Sequence, residues 1–285
     1  MLKVVLFGAP GPCLEALLAR RYEVLLIRPP RRLRARLRRT FRPPDPVEQV
    51  ARSAGVRLVR YSTHERIGRV VQDFTADVVC IATFPFRIPA PIRQAARLAA
   101  INIHPSLLPR YRGPDPYFWA YFNGDADTAW TAHVATDRID GGPILAQERI
   151  AIPRGHPVTA LGRSMVAESG AILLRGIDAV LSGHAGIEQD EARASRAPRV
   201  DFARLELPLG EWPVAQAWHF LAGYRELFRP RLNDDRGHAV EYDEVPQYDL
   251  EVRGTPGLVV REAGGWRLCC HGGSVHLRTR RTERA

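Results

Sequence analysis

The chain has 285 residues, of which 45% are hydrophobic, so it can bury one large core and still form a smaller domain. The first apolar run, Val4 to Phe7, is soon followed by Gly8 and Pro10, which excludes a secretion signal or a membrane span there. Four cysteines, two of them adjacent, are too few for a disulfide framework. We therefore expect a cytoplasmic protein with reduced thiols and no membrane partner.

The formal net charge of +10 comes almost entirely from arginine. Arginines crowd the stretch from Arg28 to Arg42, and the last residues of the chain are basic too. Runs of like charge are usually solvated, so a loop and a frayed tail are the first interpretation. The alternative interpretation is a contact with phosphate, made by the segment from Arg31 to Arg39.

Strand-like and helix-like stretches alternate along the first two thirds of the chain. The predicted strands, in chain order, are LKVVLFG, EVLLIRP, VRLVRYS, VVCIAT, AINIH and TAHVAT. The predicted helices are CLEALLARR, PVEQVARSAG, HERIGRVVQDFT, the aromatic PYFWAYFNG and the long TALGRSMVAESGAILLRGIDAVLSG. Because such alternation needs crossover connections, it predicts an α/β fold with a doubly wound, mostly parallel sheet.

Beyond the long helix, the sequence changes character. The stretch GHAGIEQDEARASRAPR loses apolar periodicity, which is typical of a linker. After it, one helical stretch is followed by short strands joined at glycine pairs. We therefore predict a catalytic domain over residues 1–182, a linker over residues 183–199, and a small β-rich domain over residues 200–285.

Two candidate motifs do not support a cofactor or metal site. The N-terminal GAPGP is not the three-glycine dinucleotide fingerprint, and no acidic residue follows at the expected distance. Cys269, Cys270, His271 and His276 are metal-ligand residue types, but their spacing fits no zinc pattern and alternating strand positions do not share one face. We predict structural cysteines and no metal.

The strand AINIH carries two polar residues on one face. Side chains alternate along a strand, so Asn102 and His104 lie on the face opposite Ile101 and Ile103. Pro105 cannot donate to a strand ladder, so the strand should end with His104 at its carboxyl end. In open parallel sheets this edge is where ligands bind.

A carboxylate follows in the segment IDGG. There Asp140 precedes two glycines that permit a tight turn and close approach of the backbone to a ligand. A carboxylate near His104 would raise the basicity of the imidazole and fix its orientation. An amide, an imidazole and a carboxylate around one cleft can stabilise an oxyanion and move a proton, as acyl transfer requires.

These motifs, NIHPSLLPRYRG and DGGPIL, resemble those of the folate-dependent formyltransferase family, which includes glycinamide ribonucleotide, methionyl-tRNA and sugar-amine formyltransferases. The similarity covers residues 1 to about 181. The resemblance implies a catalytic set of Asn102, His104 and Asp140. It also implies that 10-formyl-tetrahydrofolate is the formyl donor, and that no metal and no covalent enzyme intermediate are needed.

The resemblance further implies a folate pocket between the loop FPFRIPAPI and the loop that carries Asp140. An apolar slot for the flat pterin would come from Phe84, Phe86, Ile88 and Ile92. Backbone groups near Arg87 and around Asp137 would satisfy the polar edge of the pterin. Ordinary core packing is the alternative role for each of the aromatic residues.

Different sequence features favour different amine acceptors. RGPDPYFWAYFNG resembles sugar-amine enzymes and DGGPIL resembles glycinamide ribonucleotide enzymes, whereas the Arg31 to Arg39 run lies where the tRNA enzymes carry a basic loop. We favour a small-molecule amine, such as an amino sugar, a nucleotide sugar or a natural-product amine, with tRNA as the second candidate. A formyl-folate hydrolase and a basic nucleic-acid-binding module on an inactive fold rank lower, and the oligomeric state is left open.

Overall fold

The computed structural model describes residues 1–8, 11–30 and 45–279. The Arg31 to Arg39 run and the basic residues after 279 therefore lie outside the described residues. The strands are β1 Lys3–Gly8, β2 Glu23–Arg28, β3 Arg57–Arg60, β4 Val78–Ala82, β5 Ala99–His104, β6 Asp127–Val134, β7 Ile144–Ala151, β8 Leu232–Asn233, β9 Ala239–Val240, β10 Tyr248–Asp249, β11 Val259–Glu262, β12 Gly265–Cys270 and β13 Gly273–Leu277. The helices are α1 Gly11–Ala19, α2 Pro46–Ser53, α3 His64–Phe74, α4 Ala90–Arg93, α5 Pro116–Phe122, α6 Val158–Leu181 and α7 Val214–Tyr224.

Seven strands form the main sheet, in the order β3-β2-β1-β4-β5-β6-β7. Strands β3, β2, β1, β4 and β5 pair in parallel, and β6 pairs antiparallel to β5. The mostly parallel α/β fold is thus confirmed. The order reverses between β1 and β4, and such a switch point opens a crevice at the carboxyl ends of the strands.

Helices pack on both faces of this sheet. Ala100 of β5 belongs to the buried cluster that contains Ile67 and Val71 of α3. Its neighbour Ile101 points to the opposite face, where a Cβ on Gly176 of α6 would lie only 3.4 Å from the Ile101 side chain. The sequence run of alternating strands and helices therefore gives a sheet covered on both sides, as parallel sheets require.

Contacts between residues divide the chain into two compact units. The first comprises residues 1–113, 129–150 and 164–196, and the second comprises residues 114–128, 151–163 and 197–285. The second unit contains a four-stranded sheet in the order β10-β13-β12-β11 and the β8–β9 pair, all antiparallel where paired. This confirms the β-rich C-terminal part. The contiguous division at residues 182 and 200 stays a prediction, since each unit draws on three stretches of chain.

Two local features were not specified by the sequence analysis. Strand β7, with the sequence ILAQERIA, is not among the predicted strands, and its central side chains Gln147, Glu148 and Arg149 are exposed. Between β4 and β5, only Ala90–Arg93 is helical, and turns lead from there into β5. Among the described helices, none is long and apolar enough to cross a membrane.

Candidate active site

Asn102 and His104 stand at the carboxyl end of β5, which ends at His104 as the following proline predicts. The antiparallel register places His133 of β6 opposite Asn102 and Thr131 opposite His104. His104 is 5% exposed and His133 is 2% exposed. The polar face of β5 therefore meets a second buried imidazole on the neighbouring strand.

Asp140 reaches this corner from the turn between β6 and β7. Its Oδ1 accepts a hydrogen bond from Asn102 Nδ2 at 3.1 Å, and its Oδ2 accepts one from the backbone N–H of Gly113 at 2.9 Å. Its Oδ2 also lies 3.6 Å from Nδ1 of His104. The structure thus brings together the three residues that the sequence analysis singled out.

The turn differs in detail from the expectation that paired glycines supply its flexibility. Asp140 itself has the left-handed backbone, with φ of +49°. Gly142 is required for a different reason, because a Cβ there would lie 1.9 Å from the carbonyl oxygen of Val134. Two further non-glycine residues with left-handed backbones, Thr83 with φ of +50° and Tyr111 with φ of +62°, border the same region. Such strain concentrates at functional sites.

The hydrogen bonds of His104 determine which of its nitrogens is protonated. Nε2 lies 2.9 Å from the carbonyl oxygen of Tyr111, and a carbonyl can only accept, so Nε2 carries the hydrogen. Burial lowers the pKa of His104 below 6.5, opposed by the Asp140 carboxylate and the Tyr111 carbonyl. The ring is therefore neutral near pH 7, with the lone pair of Nδ1 facing Asp140.

Asp140 is ionised. Burial alone would raise the pKa of its carboxyl group, but interactions with His104 and His133 in their protonated forms and the hydrogen bond from the Gly113 N–H lower that pKa to about 2. The corner therefore holds one carboxylate and one neutral imidazole whose Nδ1 is placed to take a single proton beside the negative charge.

His133 was not weighed in the sequence analysis. Its Nδ1 lies 2.9 Å from the carbonyl oxygen of Val134 and so donates to it, which leaves Nε2 as an acceptor for Asn102 Nδ2 at 3.0 Å. The two N–H groups of the Asn102 amide thus point at His133 and Asp140. The available signal was a histidine within the buried strand TAHVAT, but its pairing with Asn102 depends on the antiparallel register, which the sequence does not specify.

The loop predicted to bind folate has two kinds of residue. Ile88 and Ile92 are 3% and 1% exposed and belong to the buried cluster beneath the sheet, and Phe84 packs against that cluster. Phe86 is 43% exposed, and its ring stacks on Tyr61 with 5.6 Å between centroids. Only Phe86 among these four offers a broad open apolar face.

A residue that the sequence analysis missed, Arg93, ties the two predicted folate-binding loops together. Its Nε donates to the carbonyl of Ile88 at 3.0 Å, its Nη1 donates to the carbonyl of Ala135 at 2.8 Å, and its Nη2 pairs with Asp137. Arg87 also donates to the carbonyl of Asp137, at 2.6 Å. Arg93 is buried, so the two loops share one charged clamp.

The four cysteines are free and buried. Burial raises the pKa of the Cys13 and Cys270 thiols to about 12. His276 pairs with Asp249 at 2.7 Å. Within residues 1–8, 11–30 and 45–279, no three His, Cys, Asp or Glu side chains are placed to hold a metal ion.

Comparison with known proteins identifies the family of the chain. The sequence profile of the formyl transferase family matches residues 22–177, which is more than half of the chain. A methionyl-tRNA formyltransferase of Levilactobacillus brevis is 29% identical over 70% of this chain, an alignment that spans only 65% of that protein. The corresponding enzyme of Deinococcus radiodurans is 29% identical over 99% of this chain and 88% of its own length.

Solved structures share the fold. An N-formyltransferase from Helicobacter canadensis, crystallised with folinic acid and dTDP-3-aminofucose, superposes with a TM-score of 0.73 at 13% identity, covering 98% of this chain and 100% of its own. A glycinamide ribonucleotide transformylase from Symbiobacterium toebii superposes with a TM-score of 0.51 at 24% identity, covering 62% of this chain and 89% of its own. At these identities the likeness is one of fold.

Proposed function

Since the chain belongs to the formyl transferase family, we propose that it moves a formyl group from 10-formyl-tetrahydrofolate to a primary amine of a small molecule, with Asn102, His104 and Asp140 as the reacting corner. The observation that carries the proposal is the joint placement of a neutral imidazole, an ionised carboxylate and an amide at the carboxyl edge of the sheet. The folate supplies an activated formyl group bound to nitrogen. The protein has to stabilise the negative charge on the formyl oxygen and to move the proton that the amine loses.

His104 acts as the proton carrier in this proposal. As the amine nitrogen bonds to the formyl carbon, the amine loses a proton, and Nδ1 of His104 is the nearby lone pair that can accept it. The imidazolium so formed lies 3.6 Å from the Asp140 carboxylate, which stabilises it. His104 then returns the proton to the folate nitrogen as the bond between that nitrogen and the formyl carbon breaks.

Asn102 stabilises the negative charge on the formyl oxygen. Its two N–H groups donate to His133 and to Asp140. To donate to the formyl oxygen, Asn102 has to break one of these hydrogen bonds. The bond to His133 is the weaker of the two, because Asp140 is charged. A protonated His104 Nδ1 offers a second donor.

In this proposal the folate donor binds against the two loops that Arg93 clamps. Phe86, exposed beside Tyr61, offers an aromatic face, and Phe84, Ile88 and Ile92 support the loop from the core. Backbone groups near Arg87 and Asp137 lie at the rim of the same loops. We propose all six residues as parts of the cofactor site, and Phe86 is the one whose exposed ring can contact the pterin directly.

The proposal is tested with the full chain, 10-formyl-tetrahydrofolate and a panel of amines: dTDP-3-aminofucose, glycinamide ribonucleotide and methionyl initiator tRNA. Formylated product is measured by mass spectrometry, and released tetrahydrofolate is measured by absorbance. We expect turnover with a small amine. Absence of formylated product with every amine in the panel, with folate bound, would contradict the proposed activity.

Methionyl-tRNA is the second candidate acceptor, because the curated relatives named above carry that activity. It makes a distinct prediction about salt: if the Arg31 to Arg39 run binds tRNA phosphates, affinity should fall with a log-log slope of about 0.9 per neutralised phosphate. A variant with serine at all six positions separates the two acceptors. Formylation of tRNA that this variant abolishes would establish the second candidate, whereas unchanged formylation of a small amine supports the first. The six positions are Arg31, Arg32, Arg34, Arg36, Arg38 and Arg39.

A further inference from the structure

Part of the segment predicted to be a linker lies along the turn that carries Asp140. Residues 187–196, which we term the return segment, form backbone bonds at both of their ends. Ile187 exchanges two 2.8 Å hydrogen bonds with Ile144 at the start of β7. Ser195 donates its N–H to the carbonyl of Pro109 and accepts from the N–H of Arg112, and its Oγ accepts from the N–H of Tyr111 at 2.9 Å. The return segment is therefore anchored on either side of Asp140.

The side-chain amide of Gln189, in the return segment, forms hydrogen bonds with both its nitrogen and its oxygen. Its Nε2 donates to the carbonyl of Asp140 at 2.9 Å and to the carbonyl of Gly142 at 2.7 Å. Its Oε1 accepts from Nε and Nη2 of Arg112 at 3.0 and 2.8 Å. Gln189 is only 7% exposed, so these four bonds are largely shielded from water.

Arg112 holds Gln189 in this orientation. With its Nε and Nη2 on Gln189, it also forms a two-pronged ion pair with Glu191 of the return segment, both contacts at 2.9 Å. Arg138, on the exposed side, contacts Glu191 at 3.2 Å and Glu188 at 3.6 Å. An amide oxygen bound by two guanidinium N–H groups cannot exchange places with its NH2 group, so Nε2 must face the turn.

The turn has a backbone conformation that its hydrogen bonds can hold in place. Asp140 has a left-handed backbone, a conformation that is unfavourable for a residue with a Cβ. We propose that Gln189, oriented by Arg112, is a positioning residue: it bridges the carbonyls of Asp140 and Gly142, and thereby keeps the Asp140 carboxylate facing His104. This inference rests on the proposed function only for its effect on turnover, because the geometry it describes can be measured without any amine.

The test follows the pKa of His104 by NMR of ¹⁵N-histidine-labelled full-length protein. The chain has nine histidines, and the His104 signal is assigned from its loss in His104→Gln. The charged and titratable groups around the pair are His133 on β6, Arg112 beside Gly141, and the exposed Arg138, Glu188 and Glu191. Arg112 keeps its two contacts with Glu191 when Gln189 is replaced, so we expect Asp140 to be the charged group that moves relative to His104.

Two variants remove the amide of Gln189, one with and one without loss of side-chain volume. Gln189→Ala removes it entirely. Gln189→Met keeps the length of the side chain, loses all of its hydrogen bonds and adds no charge, so it should fold even if the cavity left by alanine destabilises the chain. The matched control is Gln216→Ala, which removes a single 2.8 Å amide bond to the carbonyl of Phe122 in the other unit.

We expect the His104 pKa to fall by about half a unit or more in Gln189→Ala and Gln189→Met, because the Asp140 carboxylate that raises this pKa has moved away. We also expect turnover with dTDP-3-aminofucose to fall about tenfold in both variants, whereas Gln216→Ala changes neither quantity. An unchanged His104 pKa in both Gln189 variants overturns the inference. A lowered pKa with unchanged turnover upholds the positioning role and counts against the proposed catalytic role of Asp140, which Asp140→Asn tests separately.

Discussion

The proposed catalytic corner and the proposed folate loop are built on opposite principles. At the corner, Asn102, His104 and Asp140 are largely buried, and each has a hydrogen-bond partner of fixed geometry. In the loop of residues 84–92, two isoleucines lie in the core while Phe86 and Arg87 lie in the open. The corner is held by its own polar bonds, and the loop is held by apolar anchors and by one arginine.

The difference follows from what each region has to do. A group that carries charge during a reaction must be oriented before the substrate arrives, because reorganisation would add to the barrier. A surface that only has to accept a flat ring can adjust to it, and half-exposed aromatic side chains permit this at small cost. The corner should therefore tolerate no substitution, and the loop should respond gradually.

The largest effect should come from His104→Ala. Removing the proton acceptor should lower turnover by a hundredfold or more, about 2.7 kcal/mol, while folate binding changes less than threefold. Turnover is measured at saturating folate, and binding is measured from the rise in unfolding temperature with folinic acid. The control is His184→Ala, an exposed histidine after α6. Equal losses in both variants would show that the corner has no special role.

The second effect concerns pH. In the proposed reaction His104 has to be neutral, and burial lowers its pKa below 6.5. The value of kcat/KM, divided at each pH by the fraction of the amine that is unprotonated, should therefore be level near pH 7 and fall tenfold per pH unit once the pH drops below that pKa. Asp140, with a pKa of about 2, stays ionised across this range. Rates from pH 4.5 to 8 locate the acidic limb. A limb above pH 7 would mean that His104 has a raised pKa and works as an imidazolium.

A smaller effect is expected from Arg93→Lys. Lysine cannot donate to both loop carbonyls and Asp137 at once, so the two loops lose their shared clamp and the dissociation constant of folinic acid should rise about tenfold. Turnover at saturating folate should change less than threefold. Arg97→Lys, at an exposed arginine paired with Asp77, is the control. A loss in turnover without a loss in affinity for folinic acid would mean that Arg93 supports the reacting residues and not the folate loop, which contradicts this prediction.

The smallest effect should come from Phe86→Ala. This change removes one half-exposed ring from the open side of the loop, and the affinity for folinic acid should fall about threefold, with turnover at saturation unchanged. Phe202→Ala removes a ring of similar exposure in the other unit and serves as the control. If Phe86→Ala binds folinic acid as tightly as the native protein does, the ring does not contact the pterin.

The sequence predicted the parts of the site that depend on local rules. Period-two alternation placed Asn102 and His104 on one face, and Pro105 marked the end of β5. It could not predict His133 or Gln189. Both act through pairing between segments that are distant in the chain: the antiparallel register of β5 and β6, and the return of a polar segment that composition alone assigns to a linker. The sequence also did not predict the left-handed backbone of Asp140, because the two glycines that follow it are the residues expected to adopt such a conformation.

The buried thiols have a practical consequence for experiments. Since no cysteine is exposed and burial raises the pKa of each one, maleimide reagents should leave the native chain unmodified at neutral pH. A single cysteine introduced at an exposed site would then be the only point of attachment for a dye or a spin label. Placed beside Phe86, such a probe would report directly how far the loop moves when a folate enters, on a background that contributes no signal of its own.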